Sequence, residues 1–204
     1  LTLPFDWSGY PALRQFNPHA NIGEPGLAGN KNRILHDGVY PPDLTGTTLA
    51  VRAARLISLG LGAVTVFAVF AAARTLLPDA PALATIAAGI TAFNPQFLFI
   101  AASINNDNLV TALNSLVVWQ ILVMLRDGFD RRRGVLLAVL LTLASLSKLS
   151  GLVLMPVAAL AALWTAYRRR DVRGLLELGV MVGGVWLVLA GWWDARNLVL
   201  YDEL

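Results

Sequence analysis

Between Asp79 and Arg126 the chain carries one charged residue, Asp107, and long apolar runs lie on both sides of it. Six such runs separate the charges: Leu56–Ala73, Ala80–Asn106, Asn108–Leu125, Gly134–Ser147, Leu149–Tyr167 and Leu178–Trp193. A membrane-spanning helix needs about 20 apolar residues at about 1.5 Å each. Most of the runs meet that length, and only Gly134–Ser147 is short. Charged residues make up 14% of the chain and hydrophobic ones 56%, with mean hydropathy +0.62. Soluble domains carry about 25% charge, so this chain has too few charges to clothe a water-facing surface. The expectation is an all-α, multi-pass transmembrane helix bundle of about six spans. They fall near 56–77, 80–103, 107–125, 134–147, 149–167 and 174–193, and the region runs from 53 to 204.

The fourth and fifth runs need a break between them. One helix from Gly134 to Tyr167 would be about 51 Å long, against a hydrocarbon core of about 30 Å. "SKLSG" (Ser147–Gly151) supplies the turn residues, and Lys148 sits in the middle of it. A short or broken helix beside a polar turn suits a cavity wall better than a lipid-facing position.

Charge then orients the spans. The loops "RDGFDRRR" (126–133) and "RRRDVR" (168–173) hold four arginines each, and Arg74 falls on the same side. The positive-inside bias puts these loops in the cytoplasm. The turn at 103–108, the break at Lys148 and the "WWDARN" segment then share the outer face. The basic surplus (16 Lys and Arg against 13 Asp and Glu) reports this topology and no nucleic-acid partner. Cysteine is absent, so no disulfide framework or thiolate metal site exists.

Residues 1–52 read differently. Six of the ten prolines fall there, which opposes regular helix and favours an irregular extramembrane arm. Lys31 and His36 are its candidate substrate contacts, and no phosphate-binding loop or zinc spacing accompanies them. The chain begins with Leu and ends on "YDEL", which reads as an internal piece of a longer protein.

The remaining candidates cluster on the expected outer face. Asp107, preceded by Asn106, heads the third span, where a carboxylate can cap the orphan N–H groups of a helix. Asp107, Thr111 and Asn114 share one helical face, expected to point into the bundle. Lys148 is costly beside lipid unless paired, and its partners are a lipid phosphate or Asp107. Arg196 follows two tryptophans, which places its guanidinium at headgroup depth, where it either anchors the chain or holds a phosphate. No catalytic base is assigned. Asp107 suits positioning of a ligand or coordination of a divalent metal better than base chemistry.

Four ordered blocks carry a resemblance: "NKNRILHDGVYPPDLTGTTLAVRAARLISLGLGAVTVF", "AFNPQFLFIAASINNDNLV", "LASLSKLSGLVLMP" and "GWWDARNLVLY". Together they cover about residues 17 to 201, and the chain resembles bacterial glycosyltransferase family 39. That family has the GT-C fold and is related to protein O-mannosyltransferases and aminoarabinose lipid A transferases. The resemblance implies an enzyme that moves a sugar from a polyprenyl-phosphate donor to an acceptor outside the cytoplasmic membrane. It also implies a general base in the first external loop, after a first span. Neither that span nor a matching acidic pair is in residues 1–50, so this piece alone is expected to be inactive. The rival readings are a polytopic transporter and a non-catalytic scaffold subunit. A transporter would show mid-bilayer polar positions and an internal repeat, and neither is evident.

Overall fold

The computed structural model describes residues 46–201 and, before them, two short strands, β1 (Gln15–Phe16) and β2 (Ile34–Leu35). The strands pair antiparallel, Gln15 opposite Leu35 and Phe16 opposite Ile34. The chain divides into two units, Leu1–Leu56 and Ile57–Leu204. Lys31 and His36 lie outside the described residues, as does most of the expected arm.

Everything else described is helical: α1 (Gly46–Leu76), α2 (Pro81–Ala92), α3 (Pro95–Ala101), α4 (Asp107–Asp127), α5 (Arg131–Ser147), α6 (Leu154–Arg169), α7 (Val172–Leu189) and α8 (Gly191–Tyr201). A 3₁₀ turn, Leu149–Val153, joins α5 to α6. Four segments are long and apolar enough to cross a membrane: α1, α4, Leu149–Arg169 and α7. The pair α2–α3, bent by 64°, makes a fifth if it counts as one span. The molecule is thus the all-α multi-pass bundle that the apolar runs require.

Local chemistry sets the element ends. Pro95 has no N–H to continue α2, and Asn94 caps α3 by accepting from the N–H groups of Gln96 (2.9 Å) and Phe97 (3.1 Å). This break is where the 64° bend sits. Asp130 caps α5 by accepting from Arg133 N–H at 2.9 Å, and Asp171 caps α7 through Gly174 N–H at 2.8 Å. The end of α4 is Gly128 at φ 95°, a conformation that favours glycine.

Within the second unit, α5 lies between α4 and α7 and packs against both. The core is a layer of Leu113, Val117, Ile121 and Met124 on α4 against Leu137, Leu140, Leu141 and Ala144 on α5. Ala158 and Ala162 of α6 and Leu178 of α7 close it. Buried threonines satisfy themselves on their own helices: Thr142 Oγ1 donates to the Ala138 carbonyl (2.9 Å) and Thr165 Oγ1 to that of Ala161 (2.8 Å). Trp119 meets Phe67 edge-on, with centroids 5.8 Å apart, and donates its Nε1–H to Thr75 Oγ1 at 3.2 Å. At 17 residues, α5 is the shortest of the helices in this core apart from α6.

The bundle has two chemically distinct ends. The arginine loops meet at one, where Arg169 Nη2 donates to the Arg126 carbonyl and the Arg169 side chain lies over Gly128. The other end holds the turn before α4 and the break after α5, joined by Asp107 and Lys148.

Candidate functional site

The turn Ala102–Asn106 is braced by amide side chains. Asn108 is 5% exposed, and its Nδ2 donates to the carbonyls of Ile100 (3.0 Å) and Ser103 (2.9 Å). Asn105 Oδ1 accepts from Asn108 N–H at 3.1 Å, and its Nδ2 donates to Ser103 Oγ at 2.6 Å. Ser103 Oγ in turn donates to the Ile100 carbonyl at 2.7 Å. These bonds tie the last turn of α3 to the first turn of α4, and each polar atom used is one that lipid would leave unsatisfied.

The brace changes the role of Asp107. The capping reading does not hold: Asn105, two residues earlier, supplies the side-chain oxygen, and the Asp107 carboxylate receives no backbone N–H. Asn and Asp cap about equally well, so propensity could not choose between them. Released from the helix end, the Asp107 carboxylate accepts from Lys148 Nζ. The two side chains are 45% and 42% exposed, so the pair is open to a ligand.

Lys148 is held from behind. Its backbone is extended (φ −165°, ψ 145°), its N–H donates to the Ala144 carbonyl at 3.3 Å, and its own carbonyl accepts from Gly151 N–H at 2.8 Å. Ser147 Oγ also donates to the Ala144 carbonyl, at 2.8 Å. Gly151 is packed so closely on that turn that a Cβ there would lie 2.1 Å from the Ala144 carbonyl oxygen. The break is thus a built corner that aims one ammonium group, and Gly151 is part of it for its size.

The other candidates fall differently. Asn106 precedes α4 and is exposed; its carbonyl accepts from Val110 N–H at 3.1 Å, while its side chain makes no capping bond. Arg196 lies on α8, exposed, with its guanidinium 5.5 Å from the Trp193 ring centre. It makes no contact with Asp107 or Lys148, although α7 leads from the arginine end to the other, where α8 begins. Asp194 beside it accepts from Trp186 Nε1 at 2.9 Å. The expected stripe does not turn inward as a unit. Thr111 is exposed, Asp107 and Asn114 are half-buried, and Asn108 is the residue of this turn that is buried. Among the described residues no three acidic or histidine side chains converge on a metal position.

Sequence reasoning passed over Asn105 and Asn108, and took Gly151 only as a turn residue. A signal for the first two was present: an Asn-x-x-Asn spacing at the head of an apolar run resembles a capping pair.

Chemically, the site offers one cation and one carboxylate, already partnered and reachable from outside. A phosphate can compete with Asp107 for the ammonium, and the displaced carboxylate can then accept from hydroxyl groups. A family model described as dolichyl-phosphate-mannose-protein mannosyltransferase matches residues 44–193. No curated protein and no solved structure matches the chain. The matched stretch takes in α4, the break and the whole Asp107–Lys148 pair, and with its apolar spans the chain belongs to this family of mannosyltransferase-like membrane glycosyltransferases.

Proposed function

We propose that this protein transfers a sugar from a polyprenyl-phosphate donor to an acceptor on the outer side of the cytoplasmic membrane, with Asp107 and Lys148 at the donor site. The observation that carries this reading is the exposed ion pair at the end of the bundle opposite the arginine loops. The positive-inside bias turns that end outward. A lipid-linked donor presents its phosphate at headgroup depth, where such a pair is hydrated enough to exchange partners.

In this reading, Lys148 holds the phosphate and stabilises the charge that grows on it as the sugar–oxygen bond breaks. Asp107 accepts from sugar hydroxyls and keeps the empty site neutral. Arg196 adds a second cation at the same end, stacked on Trp193 rather than paired. Asn106, Lys31 and His36 complete the set of proposed substrate contacts. No general base is assigned among the described residues.

The test is sugar transfer by the full-length protein in membranes. Lys148→Met should abolish transfer while the protein still accumulates folded, because a half-exposed pair contributes only about 0–1 kcal/mol to stability. Lys148→Arg keeps the charge but changes its shape, and should retain intermediate activity. Wild-type transfer by Lys148→Met would remove the site.

A further inference from the structure

At Ala190 the chain leaves α7 and starts α8, and the backbone ladder is cut there. Ala190 N–H still donates to the Trp186 carbonyl at 2.7 Å, but the N–H groups of Trp193 (2.8 Å) and Asp194 (3.0 Å) both turn to the Ala190 carbonyl. Among the described residues no backbone N–H reaches the carbonyls of Leu187, Val188 and Leu189 across the break. The Leu189 carbonyl accepts from Trp192 Nε1 at 2.9 Å instead. Leu187 and Val188 are exposed, so their carbonyls need water or lipid headgroups, which hydrocarbon cannot supply. The break therefore sits at the membrane boundary. The length of α7 agrees: its 18 residues make about 27 Å, against a hydrocarbon core of about 30 Å.

The exposed side of α8 is its apolar side. Trp192 (62% exposed), Val199 (83% exposed), Trp193 and Ala195 are all exposed, with Arg196 among them. Asp194 and Asn197 are the half-buried ones, and Asp194 accepts from Trp186 Nε1 at 2.9 Å across the break. An unbroken helix would set those two residues about 12 Å apart along its axis, so the bond clamps α8 to α7. A helix standing in water shows the opposite arrangement, polar side out. Two indoles beside a guanidinium, Arg196 lying 5.5 Å from the Trp193 ring centre, suit a headgroup boundary. Length decides the direction. The 11 residues of α8 make about 16 Å, whereas a headgroup layer is about 5–8 Å thick. An upright α8 would leave that layer within about five residues and carry Val199 into water. Lying in the plane keeps the whole apolar face at the boundary.

We infer that α8 lies flat in the headgroup layer of the leaflet opposite the arginine loops, with its Trp192–Val199 face set into phospholipid. The partner of this face is the bilayer itself. It follows directly on the exposed apolar side of α7, which carries Val180, Leu187 and Val188. The matched family stretch ends at residue 193, so most of α8 lies beyond it. The inference does not depend on the transfer reaction.

The experiment places single cysteines at Ala195 and Val199 of the full-length protein, attaches a nitroxide to each, and reconstitutes the protein in phosphatidylcholine vesicles. Collisions with oxygen and with a water-soluble nickel chelate then give the depth of each label. Val180→Cys on α7 is the reference for hydrocarbon, and Asn197→Cys, on the half-buried side of α8, the reference for a shielded position. Both α8 labels should lie shallow, about 5–10 Å below the headgroup surface. Their depths should agree within about 2 Å, whereas a helix along the membrane normal separates them by about 6 Å. A Val199 label in water would overturn the inference in favour of an upright helix. One deeper than Ala195 by the full rise would overturn it by making α8 part of the span. Labels at Ala195 and Val199 as shielded from both reagents as that at Asn197 would overturn it by showing that protein, not lipid, covers the face.

Discussion

Gly151→Ala removes nothing and adds one methyl group, yet it should disturb both the fold and the site. The new Cβ would sit 2.1 Å from the Ala144 carbonyl oxygen and 2.3 Å from its carbon, where real Cβ contacts hardly ever fall below 3.0 Å. The clash is with backbone, so no side-chain rotation relieves it. The 3₁₀ turn and the end of α5 must separate by roughly 1 Å, which strains the Lys148 N–H bond to Ala144 that is already 3.3 Å long. Overpacking of this kind costs about 1–3 kcal/mol, or roughly 2–12 °C in melting temperature for a chain of this size. Lys148 is the residue that would move, and about 1 Å of misplacement can lower a rate about a hundredfold. The assay pairs a melting curve in detergent with sugar transfer by the full-length protein. The control is Gly179→Ala on α7, where no atom lies within 4 Å of the new Cβ and helix propensity favours Ala by up to about 1 kcal/mol. Wild-type melting and transfer in Gly151→Ala would refute the close-packed corner, and with it the claim that the corner aims Lys148.

Asp107→Asn should leave the melting temperature almost unchanged, since Asn105 holds the helix end, while sugar transfer falls; full transfer would reduce Asp107 to a surface partner of Lys148. Asn105→Ala should do the reverse in stability, losing about 0.5–2 kcal/mol in a melting curve, and a silent Asn105→Ala would return the cap to Asp107. Asn108→Leu deletes two hydrogen bonds and leaves the Ser103 carbonyl without its donor, while the Ile100 carbonyl keeps Ser103, for a loss of about 1–3 kcal/mol; urea or thermal melts that match wild type would show the brace to be dispensable. Because the chain has no cysteine, single cysteines at Asn105 and Arg132 report sidedness directly: an impermeant thiol reagent should reach them from opposite faces of the membrane. Labelling from one face would contradict the orientation.

Much of this architecture is legible from charge spacing, because lipid penalises any charge that is not at an end. The runs between charges therefore mark the helices, and "SKLSG" marks a turn because no helix of that length fits a bilayer. The meeting of Lys148 with Asp107 follows from the same penalty: each needs a partner, and few exist nearby. The cap is a different matter. Asn105, Asn106 and Asp107 have similar capping preference, and only the backbone path decides which side chain faces the orphan N–H groups. Gly151 reads as a flexible turn residue from sequence, whereas the structure uses it for its size.

The shortness of α5 has a consequence for the lipid around it. Its 17 residues make a rod of about 25 Å, bounded by Asp130 and Arg131 at one tip and Lys148 at the other. A hydrocarbon layer is about 30 Å thick, so both charged tips cannot rest at undisturbed interfaces. Tilt is restrained by α4 on one side and α7 on the other. Were α5 to cross the bilayer, that mismatch would be relieved by thinning of the lipid beside it, with water and headgroups dipping toward its tips. A lipid phosphate beside this helix would then have less distance to descend to reach Lys148.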